Sequence, residues 1–575
     1  MAILTLLWCL TLFVGLVFGL GLPLVARSPW RIDEKLCAAA ALGVIVLYLW
    51  GLLQYWMDLP PAAAALLPGT AMALLVARRR ACLELLQDPA ARRLAGAYLI
   101  IAGWLLGFLA LVRSYSGGGW ALDWAAHYDR ARLFLAHWPA DHPLFINDRL
   151  PTRPPLANVV TAAFMSLTGP GCPFFQIFTT LAGSLAFLPG WLLAGRFRHE
   201  PRRAQAVFAL LFMLSPAVLQ NGTFAWTKLV TAFFVLSAIA LFLSGLASES
   251  RPYLAAAFLS LAAGFLAHYS AGPFAVALIA AYFCLHRSRW RQGAFWRDSA
   301  VCALPAAALL ATWFGWALRI FGWRGTFLTN TSVAESTGHS WGSFLYEKGY
   351  NLFATLVPHF LRPVDYGFIA QASRLGRIRD YCFQLYQVNL PLMFGSVGGV
   401  VLLWLLWKAW RQAVPQPPAP GRGFWVWLTG STIVLGVAAV GGIDQWGVAH
   451  ACLLGLVILG LAFLSAHLSD APRWVRIIFL AGLALDFTFG VGVHFYLQNL
   501  PHPFRDALRG GGAALLHDYG TSTLVNLQAK LLQRCEFVGD WPINRFLLMA
   551  LLACLFALAV SRLFREHVPA CPSQS

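Results

Sequence analysis

Residues 117–160, GGGWALDWAAHYDRARLFLAHWPADHPLFINDRLPTRPPLANVV, hold the densest set of groups able to do chemistry in the chain. Asp123, His127 and Arg130 stand at i, i+4 and i+7, so a helix would carry all three on one face. Trp124, Tyr128 and Leu135 give that helix an apolar flank suited to the headgroup layer of a bilayer. Asp148, Arg149 and Arg153 follow, just ahead of Pro154-Pro155 and an apolar run at 156–169. Acids and arginines gathered at a membrane surface suit an anionic, phosphate-bearing lipid substrate. The arginines can hold phosphate oxygens, and a carboxylate can take a proton or a metal. The spacing alone fits a solvated amphipathic loop with self-paired charges just as well.

Further polar residues stand at the expected outer ends of helices. Lys228 opens an apolar run, where snorkelling to the interface competes with phosphate binding. His268 and Tyr269 precede Gly272-Pro273 at a turn between two apolar runs. Asp444 and His450 lie in another turn, GGIDQWGVAH, and an ionisable group that close to apolar sequence is a site candidate by default. Asp486, inside an apolar run, reads as structural. Asn221-Gly222-Thr223 matches a glycosylation acceptor pattern, but its closeness to the membrane argues against use. Arg509-Gly510-Gly511-Gly512 lacks the Gly-Lys-Ser/Thr of a P-loop, and no Ser-His-Asp ordering supports a hydrolase.

The elements that must position these groups are membrane helices. Of 575 residues, 59% are apolar or aromatic and 11% are charged, with a mean hydropathy of +0.65. A soluble chain carries about 25% charged residues, so this is an all-α polytopic membrane protein. Lys+Arg 42 minus Asp+Glu 24 leaves +18. That excess lies in short scattered loops, which fits positive-inside orientation and excludes nucleic acid as a partner. The 11 cysteines form no CxxC pair, and residues such as Cys9, Cys302 and Cys554 read as small core hydrophobes.

A bilayer core of about 30 Å takes roughly 20 residues per helix. Fifteen spans are expected, near 3–25, 36–57, 61–77, 94–114, 174–195, 204–220, 226–246, 252–268, 273–286, 299–321, 389–407, 424–441, 448–466, 477–496 and 547–562. The run at 156–169 is too short to cross and reads as a juxtamembrane helix. With that exception, Arg78–Arg80, Arg196–Arg203, Arg287–Arg297, Lys408/Arg411 and Arg473/Arg476 all fall on the cytoplasmic side. Three long segments, 115–155, 322–388 and 497–546, then face outward, and loops of that length are usually functional. The expected division is 1–93 as extra N-terminal helices, 94–321 as a core containing the 115–155 loop, 322–388 as an outer segment, and 389–575 as C-terminal helices.

One order of motifs carries a family resemblance. A first-loop acid (Asp123), an aromatic-rich helix, then Arg153-Pro154-Pro155-Leu156 and an apolar helix resemble the GT-C superfamily of polyprenyl-phosphate-sugar-dependent glycosyltransferases. The families compared are bacterial aminoarabinose transferases acting on lipid A and protein O-mannosyltransferases. Arg153-Pro154-Pro155-Leu156 is similar to their Lys/His-Pro-Pro-Leu segment. His268-Tyr269-Ser270-Ala271-Gly272-Pro273 resembles their Thr-Lys-Gly-Pro turn, and Trp226-Thr227-Lys228-Leu229 opens a helix where they often have an acid. The chain departs in carrying Trp124 beside Asp123, where a second acid is common, and Lys228 in place of an acid.

The resemblance covers roughly 94–320 and implies an inner-membrane enzyme with an extracytoplasmic active site. It would move a sugar, with inversion, from a polyprenyl-phosphate carrier to a lipid, glycan or protein. Asp123 is then the catalytic acid. Substrate binding would fall to His127, Asp148, Arg149, Arg153, Lys228, His268, Tyr269, Asp444 and His450, with the lipid tail in a groove between helices. A divalent metal (Mg, Mn, Ca or Zn) stays open, with Asp123 and Asp148 as its acids. The outer segment with Tyr346, Glu347, Lys348, Tyr350 and Arg362 would cover the acceptor side. The alternative is a transporter or flippase of a lipid-linked saccharide, against which the charge clustering at one face and the lack of an internal repeat both count.

Overall fold

The computed structural model describes all residues except 114, 116–122, 145–148, 199, 330–339, 365–373, 412–420, 449–452, 500–534 and 566–575. The described residues contain helices and no strand. Up to the second outer segment these are α1 (Ala2–Val25), α2 (Ile32–Trp56), α3 (Leu66–Ala77), α4 (Arg79–Gln87), α5 (Pro89–Leu109), α6 (Asp123–Leu135), α7 (Leu156–Thr168), α8 (Cys172–Ser184), α9 (Phe187–Arg196), α10 (Pro201–Leu214), α11 (Pro216–Thr223), α12 (Lys228–Ser248), α13 (Arg251–Ala267), α14 (Gly272–Leu285) and α15 (Gly293–Phe327).

Nine helical stretches among the described residues are long and apolar enough to cross a membrane, or up to eleven if each of two bent pairs is one span. Each of the other four expected spans coincides with a helix of 14–17 residues, at Arg251–Ala267, Gly272–Leu285, Gly398–Arg411 and Arg422–Ala438. At 1.5 Å per residue such helices reach about 21–26 Å, short of the roughly 30 Å apolar core. The protein is a multi-pass membrane protein.

Burial separates central helices from lipid-facing ones. In the stretch α8–α9 and in α12, 94% of the apolar window is enclosed by protein, against 17% in the terminal helix, Arg545–Arg565. Cys9 and Cys302 are buried as expected, but Cys554 is exposed on that terminal helix, so it faces outward rather than into a core. The hairpin α1–α2 closes through backbone contact. A Cβ at Gly21 would stand 1.8 Å from the carbonyl oxygen of Ala39, and one at Gly43 1.8 Å from that of Val17. This is the close approach that small residues permit between membrane helices.

At the far end of α2 from the outer loop, Glu34 is almost fully buried. It accepts from Arg196 at 2.6 Å, Ser244 at 2.6 Å and Tyr253 at 2.5 Å, joining α2 to α9, α12 and α13. A buried carboxylate held by three side-chain donors and the Arg31 backbone N–H keeps its charge satisfied; leaving it unpartnered would be costly.

Two local devices aim the chain at its outer end. Asp88 accepts from the Ala90 N–H at 2.7 Å and Pro89 occupies the first turn, so α5 starts at a defined residue and delivers the chain into the first outer loop. Between α10 and α11, Ser215-Pro216 breaks the run with a bend of 61°. The bend buries Gln220, Asn221 and Thr223 and directs Trp226 to the top of α12. Asn221 donates to Ala217 O at 2.7 Å and to Gln387 Oε1 at 2.9 Å, so it is a packing residue inside the protein, not a surface acceptor for glycan.

Candidate active site

Helix α6 forms where the i, i+4, i+7 spacing places it, and it packs inward. Trp124 and Tyr128, expected to face the headgroup layer, are instead buried at 5% and 7% exposure. Trp124 lies against Tyr115 and Phe537, and Tyr128 against Phe175, because the outer segments close over this helix. Arg130 is buried as well. It donates to Ala126 O at 3.0 Å, Thr152 Oγ1 at 2.9 Å and Arg149 O at 3.4 Å, which staples α6 to the turn leading into α7.

That turn presents Arg153. Its Nη1 donates to His127 Nε2 at 3.4 Å, while His127 Nδ1 lies 3.2 Å from Asn158 Oδ1 on α7. An arginine can only donate, so Nε2 is the acceptor and Nδ1 carries the hydrogen toward Asn158. Burial, then Arg153, Arg130 and His268, hold the His127 pKa well below its usual value. This histidine is neutral at physiological pH and positions Arg153; its two nitrogens are engaged by the protein rather than offered to substrate.

Asp123 begins α6 and is half-buried. The Trp226 indole N–H donates to its Oδ2 at 3.3 Å, and the same ring carries Lys228 Nζ 3.7 Å from its centroid. Lys228 is the first residue of α12, so its ammonium adds to the partial positive charge of that helix N-terminus. Trp226 thus bridges the acid and the cation.

His268 completes the ring. Its Nδ1 accepts from the Ser270 backbone N–H at 3.1 Å, which leaves the hydrogen on Nε2 as a donor. Burial, then Arg153 and Lys228, lower its pKa to about 3, so it too is neutral. Tyr269 hydroxyl reaches Pro151 O at 3.5 Å and rests against the turn that carries Arg153.

Asp444 approaches from the C-terminal half. Its backbone N–H donates to Asn351 Oδ1 at 2.8 Å, and its carboxylate accepts from the Trp446 N–H at 3.1 Å. Burial raises its pKa to about 6, against the lowering pull of two backbone N–H groups, Arg362 and Lys228. The outer helix Trp341–Leu356 and the turn after it clamp this loop. Lys348 donates to Val440 O, Asn351 to Gly442 O at 2.8 Å, and Arg362 to the carbonyls of Gln445 and of Trp446, the latter at 2.9 Å. Arg362 and Glu347 are buried in this contact, whereas Tyr346 remains exposed.

Asp123, His127, Arg153, Lys228, His268, Tyr269 and Asp444 therefore share one region at one end of the bundle, the end expected to face outward. Arg149 differs, for its side chain is exposed while its carbonyl serves the Arg130 staple. Asp148 and His450 lie outside the described residues. Asp486 is a brace, buried and accepting from Tyr386 at 2.8 Å and from the Ser396 N–H at 2.8 Å. A small cavity of about 20 Å³ beneath the site, lined by His127, Asn158, Trp226 and Val44, has room for one water and not for a substrate.

Sequence reasoning overlooked the roles of Asn158 and Trp226. Trp226 could have been flagged by its place two residues before Lys228, but Asn158 carried no local signal. Among the described residues no group of three His, Cys, Asp or Glu side chains could hold a metal ion. Asp123 accepts from the Trp226 indole N–H, and Lys228 stands over the face of the same ring. Asp148, the second acid expected to serve a metal, lies outside the described residues.

No protein-family model matches the chain, and no curated protein matches it. Among solved structures it is similar to ArnT from Cupriavidus metallidurans bound to undecaprenyl phosphate. That match has 15% identity over 82% of this chain and 76% of the other, with a TM-score of 0.45. It is also similar to the archaeal oligosaccharyltransferase AglB from Archaeoglobus fulgidus, in complex with an inhibitory peptide and a dolichol-phosphate. There the identity is 15% over 78% of this chain and 61% of the other, TM-score 0.36. Arabinosyltransferase EmbB from Mycobacterium smegmatis matches at 13% identity over 82% and 47%, TM-score 0.33. The chemistry therefore rests on the side chains themselves.

Proposed function

We propose that this protein is a glycosyltransferase that moves a sugar from a polyprenyl-phosphate carrier to an acceptor hydroxyl on the extracytoplasmic side of the inner membrane. The observation that carries the reading is the joint placement of Arg153, Lys228 and Asp123 around Trp226 and two neutral histidines. Positive charge in this pocket sits on the arginine, the lysine and the α12 terminus, where a phosphate would lie, and not on the imidazoles.

In the proposed step the acceptor oxygen attacks the anomeric carbon as the carbon–oxygen bond to the carrier phosphate breaks. One direct displacement inverts the anomeric centre. The hydroxyl proton passes to the Asp123 carboxylate, and the bond electrons leave with the polyprenyl phosphate. Arg153 and Lys228 neutralise that growing charge, and preformed cations in a site shielded from water are the strongest form of such help. His268, through Nε2–H, donates to a phosphate or sugar oxygen without adding charge. The helix Trp341–Leu356 and the Asp444 turn form the acceptor side, limiting access of water to the donor.

Purified protein with a synthetic polyprenyl-phosphate sugar tests this. Wild type should consume the donor, and Asp123→Asn should lose about 10²–10⁴ in rate, the usual worth of a general base, while donor binding and folding persist. Lipid scrambling without cleavage of the sugar–phosphate bond would select the flippase reading instead. Full activity in Asp123→Asn would remove the proposed base.

A further inference from the structure

The end of the bundle opposite Asp123 has a second built feature. Helix α5 starts there and runs about 30 Å to the outer loop. Beside its first turns, α5, α9, α10 and the terminal helix enclose a cleft of about 420 Å³. The lining has two zones. Arg92, Arg93 and Arg562 gather at the mouth, and Ile100, Ile101, Trp191 and Met213 are among the apolar side chains deeper in. Among the described residues, none of the lining side chains is acidic. Arg92 is exposed and Arg93 half-buried, and neither forms an ion pair with a described acid. Arg562 crosses from the terminal helix to donate to Arg93 O at 3.4 Å. Gly96 makes room for it, since a Cβ there would stand 2.6 Å from Arg562 Nη2.

Three guanidinium groups at the mouth of an apolar slot match a molecule with an anionic head and a hydrocarbon body. From Arg92 to Ile101 is nine residues, about 13 Å along α5, the depth of a headgroup and the upper part of an acyl chain. A soluble anion would use the arginine end and leave the apolar lining wet. The basic end also carries Arg202 and Arg203 at the start of α10, on the side expected to be cytoplasmic. We infer that this cleft binds one anionic phospholipid of the leaflet opposite the active site. Its phosphate lies on Arg92, Arg93 and Arg562, and one chain runs between α5 and α10. The lipid would wedge the terminal helix, which is otherwise poorly enclosed, against the bundle.

Native mass spectrometry of the delipidated full-length protein in mild detergent, titrated with phosphatidylglycerol or phosphatidylcholine, tests this site. One phosphatidylglycerol should be retained in preference to phosphatidylcholine. Arg92→Gln combined with Arg93→Gln should weaken its binding about thirtyfold, from roughly 1 kcal/mol per basic residue near a membrane surface. Ile100→Trp, which fills the apolar zone and leaves the charges alone, should weaken it too, with Asp123-dependent donor consumption retained as the sign that the protein is folded. Equal retention of the two lipids, unchanged binding in the double variant, or equal competition by glycerol phosphate lacking acyl chains would each overturn the proposal.

Discussion

Replacing Arg153 by lysine keeps the charge and removes the geometry. The guanidinium spends one N–H on His127 Nε2 at 3.4 Å and lies close enough to His268 to help hold it neutral. A planar fork has five N–H donors, so after the histidine bond it can still present a pair to phosphate oxygens. A lysine ammonium cannot make that pair while also reaching His127. The bidentate charge-assisted contact is worth about 1.5–3 kcal/mol, which converts to roughly a 10- to 150-fold rise in donor Kd. Burial leads among the causes that keep His127 neutral, so the histidine should not become a replacement cation. Equilibrium binding of a radiolabelled polyprenyl phosphate to purified protein measures the effect directly. Arg153→Lys should weaken binding by at least tenfold and Arg153→Ala by more, with melting temperatures near wild type. Donor affinity within twofold of wild type in Arg153→Ala would show that the arginine serves folding alone.

Two more outcomes follow from the charge pattern. Neither His127 nor His268 can take a proton near neutrality, whereas Asp444 titrates at about 6. Its folded pKa lies above the ordinary value of an aspartate, so the folded state holds this proton more tightly and the group's stabilising contribution is lost as pH rises through about 6. Asp444→Asn should therefore flatten the change in melting temperature between pH 4.5 and 7.5, and an unchanged profile would place the titration elsewhere. Orientation is tested by Arg202→Cys, which in intact cells should resist an impermeant thiol reagent and react after permeabilisation. Labelling from outside would put the Asp123 end in the cytoplasm.

What the sequence made legible was local. The Asp123–His127–Arg130 face needs only helical periodicity, and α6 has it. Charge excess and hydropathy likewise marked a polytopic helical protein, because a bilayer imposes span length and loop charge on the sequence itself. Contacts made by distant segments were not legible. Trp226 meets Asp123 across 103 residues and Asn158 meets His127 across 31, and neither pair leaves a spacing rule behind. Trp124 shows the same gap from the other side. An aromatic beside a loop acid fits a headgroup belt equally well, and only the packing of Tyr115 and Phe537 around it turns it inward. The number of crossings was obscured for another reason: apolar helices of 14–17 residues satisfy a hydropathy window yet fall short of a bilayer's thickness.

The separation of charges explains why the site needs all of these segments. Asp123 comes from α6, Arg153 from the turn before α7, Lys228 from the first residue of α12, and Asp444 from a turn clamped by Asn351 and Arg362. Each charge is set by a different piece of backbone, so no short peptide of this chain could assemble the site. The two imidazoles between the cations stay neutral because burial and those same cations oppose their protonation. Two histidinium groups here would attract the donor phosphate more strongly, but they would also hold the acid-side proton equilibrium hostage to pH. Neutral imidazoles leave phosphate binding to groups that do not titrate near neutrality. Under the proposed reaction, proton transfer would then fall to the Asp123 carboxylate.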